Sequence, residues 1–352
     1  MLDARPKKMM NMYILDILKR NTDSKHPMTQ KEIQKRLETE YEITVDRKAV
    51  KANLEYLIND GTYNIEYTTR VRLTPNRTSG ELERNELLTG FYHNNVFTDS
   101  ELRLLMDSVL FSRSIPTSNK KEMLEKLKAL SNKYFKFSTG NIQAYESPDR
   151  ETNKELFYTI EMLDEAISKG LQVRFLYNEY GVDKKLHHRL DESGEVREYI
   201  INPYKMAANC GRYYLICNYD KYDDISHYRI DRISNVEVLS TPRKPEKQVT
   251  GLDTLDVAQY MQEHIYMFGG RSIRAKFEMP SYLISDVLDA FSANVNFEDL
   301  GDGNVLASVK VNENDIRFWA RQYASQIKIT EPKELVEMCK FDLENALKLY
   351  ED

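Results

Sequence analysis

Apolar residues recur along this chain with changing period, and the changes divide it. Met10, Ile14, Ile17 and Leu18 sit at helical spacing ahead of a polar break from Asn21 to Pro27, which predicts a first helix over Lys7–Arg20. Thr29 followed three residues later by Glu32 is a capping box, opening a second helix that turns Ile33 and Leu37 inward. Asp46 predicts the N-cap of a third helix, with Val50, Leu54 and Leu57 spaced i, i+4, i+7 and Gly61 where a C-cap belongs. Ile65–Thr68 and Arg70–Leu73 then predict two short strands. Thr98 with Glu101 predicts a further capped helix carrying Leu102, Leu105, Met106, Val109 and Leu110 on one face. After a turn over Pro116–Asn119, Asn119 with Glu122 predicts another, with Leu124, Leu127 and Leu130 inward. Two such helices cannot satisfy both apolar faces alone, so a neighbouring domain or a second subunit is expected against them. The polar stretch Thr139–Asn153 predicts a linker.

Leu156, Ile160, Leu163 and Ile167, with Gly170 as the stop, predict a helix over Lys154–Lys169, after which the period falls to two at Val173, Phe175 and Tyr177. Further strands are predicted over Tyr199–Ala208, Arg212–Tyr219, Ser226–Ile230 and Val236–Leu239, with one long charged excursion over Glu179–Arg197. About five short antiparallel strands behind one helix predict a small SH3-like or Sm-like barrel. A polar connector, Pro242–Gly251, leads to a strand at Ile273–Glu278, a helix at Ser281–Phe291 and a hairpin turning at Gly301–Asn304. A helix introduced by Asn312 and Asp315 carries Ile316, Trp319, Ala320 and Tyr323; a strand at Gln326–Thr330 and a final helix from Pro332 complete the order βαββαβα, which is ferredoxin-like. The fold class expected is therefore an α+β multidomain protein in four parts: residues 1–77, three helices and a wing in winged helix-turn-helix order; 78–153, a helical connector for packing or dimerisation; 154–245, helix plus barrel; and 246–352, ferredoxin-like.

Charge sharpens this division. The 352 residues carry a net charge of −6, yet residues 1–77 hold 15 Lys/Arg against 11 Asp/Glu, leaving 35 against 45 in the remainder. A local positive field is what attraction to a polyanion needs, whatever the total. With Val50 at zero on a 100° wheel, the apolar stripe of the third helix lies within about 40°, whereas Lys48, Lys51, Ala52 and Glu55 fall between about 100° and 200°. Ala52 permits close approach of a backbone, and Lys48, Lys51 and the more lateral Arg47 can reach phosphates or guanine edges. The candidate DNA-binding set is Arg47, Lys48, Lys51, Ala52 and Asn53, with Arg70 and Arg72 on the wing. A solvated basic surface or a three-helix protein-binding module would carry the same charges. The segment VDRKAVKANLEYL, Val45–Leu57, resembles the recognition-helix region of DeoR-like bacterial regulators, with Ala52 and Asn53 in place of the usual Arg-Asp pair.

Other chemistry is sparse. No stretch approaches the roughly 18 apolar residues that span a bilayer and the start has no apolar signal core, so a cytoplasmic, nucleoid-associated protein is expected. Cys210, Cys217 and Cys339 lack CxxC spacing, and His187-His188 lacks spaced carboxylate or thiol partners, so neither a disulfide framework nor a metal site is expected. There is no P-loop, HExxH, GxSxG or spaced acidic cluster, and neither an enzyme nor a cofactor is expected.

The barrel region carries the chemistry that remains. Arg229 and Arg232, with His227 beside a set of tyrosines, offer forked donors for phosphate and π-faces for bases. The alternative is that Arg232 pairs with Asp231 or Glu237 and the tyrosines are core. The runs INPYKMAANCGRYYLICNYD and SHYRIDRISNVEVL, with the strand LQVRFLY and the turn at Pro203, are similar to the WYL domain, whose Trp-Tyr-Leu triplet is here Tyr213, Tyr214 and Leu215. In many members an Arg stands where this chain has Ser226. The ferredoxin-like end looks like the extension commonly found after WYL domains, so the whole chain resembles WYL-domain transcriptional regulators. The resemblance implies a ligand-responsive repressor, a homodimer on an inverted repeat of double-stranded DNA. Its nucleotide or nucleic-acid-derived effector would signal DNA damage or phage infection. The effector set expected is Tyr177, Tyr204, Tyr214, Ser226, His227, Arg229 and Arg232. The competing reading is an adaptor whose winged helix binds protein and whose barrel binds RNA or a nucleotide.

Overall fold

Residues 7–75, 82–136, 153–209, 211–252 and 256–351 are described by a computed structural model. The chain divides into two compact units, Met1–Phe111 with Thr117–Glu146, and Ser112–Pro116 with Ser147–Asp352. The architecture is mixed α+β, with helices at the N-terminus and several sheets.

In the first unit, a short 3-10 turn at Lys7–Met9 leads into α1 (Met10–Asn21), followed by α2 (Gln30–Tyr41) and α3 (Arg47–Asp60). Both arms of the capping box form at Thr29 and Glu32, and Asp46 accepts from the Ala49 N–H at 2.7 Å. The three helices close over one core, in which Ile14, Ile17, Ile33, Leu37, Val50, Leu54 and Leu57 meet Ile65 and Phe91. The wing differs from its sequence expectation. Ile65–Thr68 and Arg70–Leu73 form a single strand, β1 (Ile65–Pro75), and its partner β2 (Leu82–His93) comes from the segment expected to begin a helical connector. The residues between them, 76–81, lie outside the described ones. Period-2 patterning continues through Arg70 without a break, and nothing local tells one long strand from two short ones. Gly90 shows why β2 fits where it does. It sits at φ +60°, and a Cβ there would lie 2.5 Å from Thr68 Oγ1. Beside it, Phe91 exchanges both backbone hydrogen bonds with Met28, tying the ribbon to the start of α2.

Helices α4 (Asp99–Phe111) and α5 (Thr117–Lys128) follow, with the Thr98–Glu101 capping box formed and Leu102 and Met106 packed with Phe135, Leu124 and Leu127. α5 starts two residues before the expected Asn119 cap, because Pro116 ends the preceding loop and no residue after it resists the helix. The linker expected over 139–153 lies almost entirely outside the described residues, as does Cys210.

In the second unit, α6 (Leu156–Lys169) ends at Gly170, which sits at φ +66°. It packs Leu156, Leu163 and Ala166 onto a sheet of β3 (Leu171–Tyr180), β4 (Leu186–His188), β5 (Glu198–Asn209), β6 (Arg212–Tyr219), β7 (Ser226–Arg229) and β8 (Ile233–Pro242). β3 lies between β5 and β8, its tip pairs with β4, and the order then runs β5-β6-β7, all antiparallel. The charged excursion over 179–197, for which no strand is expected from sequence, supplies β4. Three residues in a charged run are too few to show alternation. A short helix absent from the sequence expectation, α7 (Val257–Glu263), leads to β9 (Ser272–Pro280), α8 (Ile284–Phe291), β10 (Val295–Gly301), β11 (Asn304–Asn312), α9 (Glu313–Gln322), β12 (Lys328–Glu331) and α10 (Lys333–Lys348). The last four strands form one antiparallel sheet in the order β10-β11-β9-β12, with Phe277, Phe291, Ile316 and Trp319 in the core against it.

Asp315 pins the segment between α7 and β9 to this core. Fully buried in the first turn of α9, it accepts from the N–H groups of Tyr266 at 2.8 Å and Phe268 at 3.2 Å. Burial raises its carboxyl to about 6 even against those donors. The native state therefore holds this proton at a higher pH than the unfolded chain does. The associated stability is fully present below about pH 4 and is lost as pH rises through about 6. Relative to Asp315→Asn, the wild-type domain should lose about 3 kcal/mol over that interval. Trp319, the single tryptophan and 3% exposed, reports this by fluorescence during denaturant unfolding. Parallel pH profiles for the two proteins would refute the assignment.

Candidate nucleic-acid interface and ligand site

Helix α3 is held by Val50, Leu54 and Leu57, which leaves its opposite face outward. Lys48, Lys51 and Ala52 are exposed there, and Lys51 makes an exposed ion pair with Glu55 at 3.4 Å. Arg47 stands at the edge and donates through Nε to Gln30 Oε1 at 3.2 Å, so α2 steadies it. Asn53 is half-buried and donates its amide to the Ala49 carbonyl at 2.7 Å, bending back onto its own helix. Arg70 and Arg72 are exposed on β1 and share one face of the ribbon, opposite Leu87 and Asn85. The structure thus brings Lys48, Lys51 and Ala52 onto one surface, sets Arg47 beside it and turns Asn53 away. The sequence reading missed Tyr56, 61% exposed and one turn beyond Ala52. Its wheel position, about 120° from the apolar stripe, was the available signal.

In the second unit β3, β5 and β7 assemble an aromatic cluster. Tyr177 and Tyr228 meet edge to face at 5.0 Å, Tyr199 lies 5.4 Å from Tyr228, and Phe175 stacks on Tyr199 at 5.6 Å. Tyr177 Oη accepts from the Arg229 N–H at 3.3 Å, and burial holds both Tyr177 and Tyr228 above the ordinary phenol range. Arg229 forks onto Asp231, Nε to Oδ1 at 3.0 Å and Nη2 to Oδ2 at 2.6 Å, with the two side chains 11% and 9% exposed. Burial works against the Arg229 charge, and the Asp231 carboxylate more than offsets it, so the guanidinium titrates above its ordinary value.

Arg232 is arranged otherwise. Its guanidinium lies 5.7 Å from the Tyr180 ring, its Nε is buried without a hydrogen-bond partner, and its charge, like that of Arg229, acts on Tyr177. The alternative pairing of Arg232 with Asp231 or Glu237 is not what forms. Asp231 takes Arg229, and Glu237 takes Arg174 across the sheet at 2.5 Å. Arg197, missed from sequence, sits 4.8 Å over the Tyr199 ring. An arginine two residues before an aromatic at a strand's start shares its face, and that spacing was the missed signal.

The remaining expected effector residues scatter. Tyr214 is half-buried and faces Arg229 across the β6–β7 register; Ser226 is half-buried opposite Cys217. Tyr204 is 1% exposed in a separate cluster with Val249 and Leu252, donates to the Lys244 carbonyl at 2.8 Å and lies under Arg243, its phenol pushed up to about 12 by burial. It packs rather than lines the cluster. The His227 ring is turned toward α7, with Nε2 and Tyr260 Oη 2.8 Å apart and Nδ1 buried without a partner. Burial, and then repulsion from His264, pushes its pKa down to about 3. His187 pairs with Asp183, and His188 Nδ1 lies 2.7 Å from Asn178 Oδ1. Among the described residues no group of three or more His, Cys, Asp and Glu side chains is placed to hold a metal ion, and no helix is long and apolar enough to cross a membrane.

No curated protein matches the sequence. Among solved structures, the chain is similar to "Proteasome accessory factor B/C (PafBC) of Arthrobacter aurescens", with 15% identity, a TM-score of 0.27, and 97% of this chain covering 49% of that one. It thus spans about half the length of that protein. It is also similar to a "CRISPR Cas-related protein", with 16% identity, a TM-score of 0.35, and 100% of this chain covering 88% of that one. Residues 158–238, which run from α6 through the aromatic cluster and both arginines to β8, match the WYL domain family.

Proposed function

We propose that the chain is a ligand-responsive, DNA-binding transcriptional regulator, acting as a homodimeric repressor on an inverted repeat, with the WYL domain sensing a nucleotide or nucleic-acid-derived effector. The observation that carries the first half is α3. Its apolar side is wholly committed to the core, and its outer side presents exposed Lys48 and Lys51 around Ala52. The ribbon of β1 and β2 adds exposed Arg70 and Arg72, so residues 7–93 are read as a winged helix-turn-helix with α3 in the major groove and the ribbon as its wing. The net positive charge of residues 1–77 supports the same reading. The aromatic cluster supports the second half, since arginines over tyrosine faces suit phosphates and bases together. The six-stranded sheet is read as the SH3-like or Sm-like barrel. The order β10-β11-β9-β12 supports the ferredoxin-like reading of the C-terminal part. A cytoplasmic, nucleoid-associated location and a non-catalytic role belong to the same reading.

Duplex DNA carrying the gene's own promoter should be bound with an affinity that falls steeply with salt. Lys48→Glu with Lys51→Glu should abolish promoter occupancy, and Lys48→Ala or Lys51→Ala alone should each lower the salt slope by about 1. A gel-shift titration at several salt concentrations measures this; binding that ignores salt, or survives the double reversal, sinks the proposal.

The two arginines should separate cleanly. Arg232→Gln should remove retention of a short single-stranded oligonucleotide of mixed sequence while leaving promoter affinity and thermal stability unchanged. Arg229→Gln strands Asp231 in a nearly buried site and should cost about 3 kcal/mol of stability in denaturant unfolding. Equal behaviour of the two variants in both measurements would rule out this division of roles.

A further inference from the structure

We infer that α3 reads thymine: Ala52 and Tyr56 take the 5-methyl groups of thymines in the major groove. This inference rests on the DNA-binding reading above and names what that surface recognises. Direct readout needs side chains aimed at base edges, and on α3 Asn53 and Arg47 are otherwise engaged. The Asn53 amide, which could have read adenine, donates to the Ala49 carbonyl at 2.7 Å. Arg47 is drawn by Gln30 to the side of the helix, where its remaining donors suit a phosphate. Lys51 and Glu55 face one another at 3.4 Å. Lys48 is an exposed point charge rather than a bidentate fork.

The middle of the outer face is left to a methyl group and an aromatic ring. Ala52 and Tyr56 are separated by one helical turn and therefore adjacent on the surface. Tyr56 is 61% exposed, on a helix whose own apolar face is complete without it. An aromatic ring left in water on a helix that also carries exposed cations is suited to a partner that brings apolar atoms and negative charge together. Duplex DNA does so wherever a thymine methyl projects into the major groove between phosphate rows. The exposed Lys48 and Lys51 supply the charge complement that selects DNA over an apolar protein surface.

Selection of full-length protein against a duplex pool with a randomised core tests this. Recovered duplexes should carry thymine at a fixed position in each half-site. Replacing that thymine with deoxyuridine removes only the methyl and should weaken wild-type binding about fourfold per site, the worth of one buried methyl. Tyr56→Ala should bind the thymine duplex more weakly by a similar factor and be indifferent to the replacement, whereas Tyr56→Phe should behave as wild type. Wild-type protein that binds both duplexes equally, or a Tyr56→Ala variant that still discriminates, overturns thymine reading and leaves DNA binding standing. Failure to recover any duplex overturns the DNA-binding reading and this inference with it.

Discussion

The ligand-site frame depends on one buried ion pair. Taking a guanidinium and a carboxylate out of water costs several kcal/mol per ion and is offset only by close, multiple hydrogen bonds. Arg229 and Asp231 meet that condition through two parallel bonds, with the Arg229 N–H also engaged by Tyr177. The pair closes a single 3-10 turn, Ile230–Arg232, between two strands that hold Ile230 and Ile233 in the core. Any rotation of that turn would expose one charge to the other's absence, so the turn has one geometry. Arg232 leaves it from a fixed point. Its Nε is buried without a partner, a desolvated donor on the residue whose guanidinium lies over the Tyr180 ring.

The same logic separates structural arginines from available ones elsewhere in the domain. Arg174 is tied to Glu237, Arg189 to Glu179 and Arg243 to Glu246. Arg197 and Arg232 lie over aromatic rings, as Arg243 also does over Tyr204. Rings leave the guanidinium edge free to donate, whereas a carboxylate consumes it, so arginines held by tyrosines are those that can still take a phosphate. Counting cations would have treated all five alike.

Much of this was legible in the sequence, for identifiable reasons. The caps at Thr29, Asp46 and Thr98 are local chemistry, and the helices they open follow within a residue or two. The turn at Asp302 and Gly303 was equally plain, since both residues take positive φ. What escaped was decided at a distance. The partner strand of the wing is specified by Phe91 bridging to Met28 and by Gly90 yielding to Thr68, contacts between segments far apart in the chain. Arg229 and Arg232 look interchangeable three residues apart. Only the 3-10 turn places Asp231 under one and not the other. Tyr204 shares its type with Tyr177, but its strand position directs it to another cluster.

The electrostatics of the cluster bear on what it can sense. Beside Asp231, the Arg229 guanidinium titrates above its ordinary value. Burial holds Tyr177 and Tyr228 neutral and His227 neutral as well, with a pKa near 3. None of these three groups changes charge near neutrality, although a histidine in water titrates there. These rings therefore present neutral faces across that range. His227 contributes by position instead. Through Tyr260 it joins β7 to α7, and Glu263 of α7 pairs with Lys310 on β11 at 2.7 Å. Side chains of β7, α7 and β11 are thereby linked in turn to the C-terminal sheet.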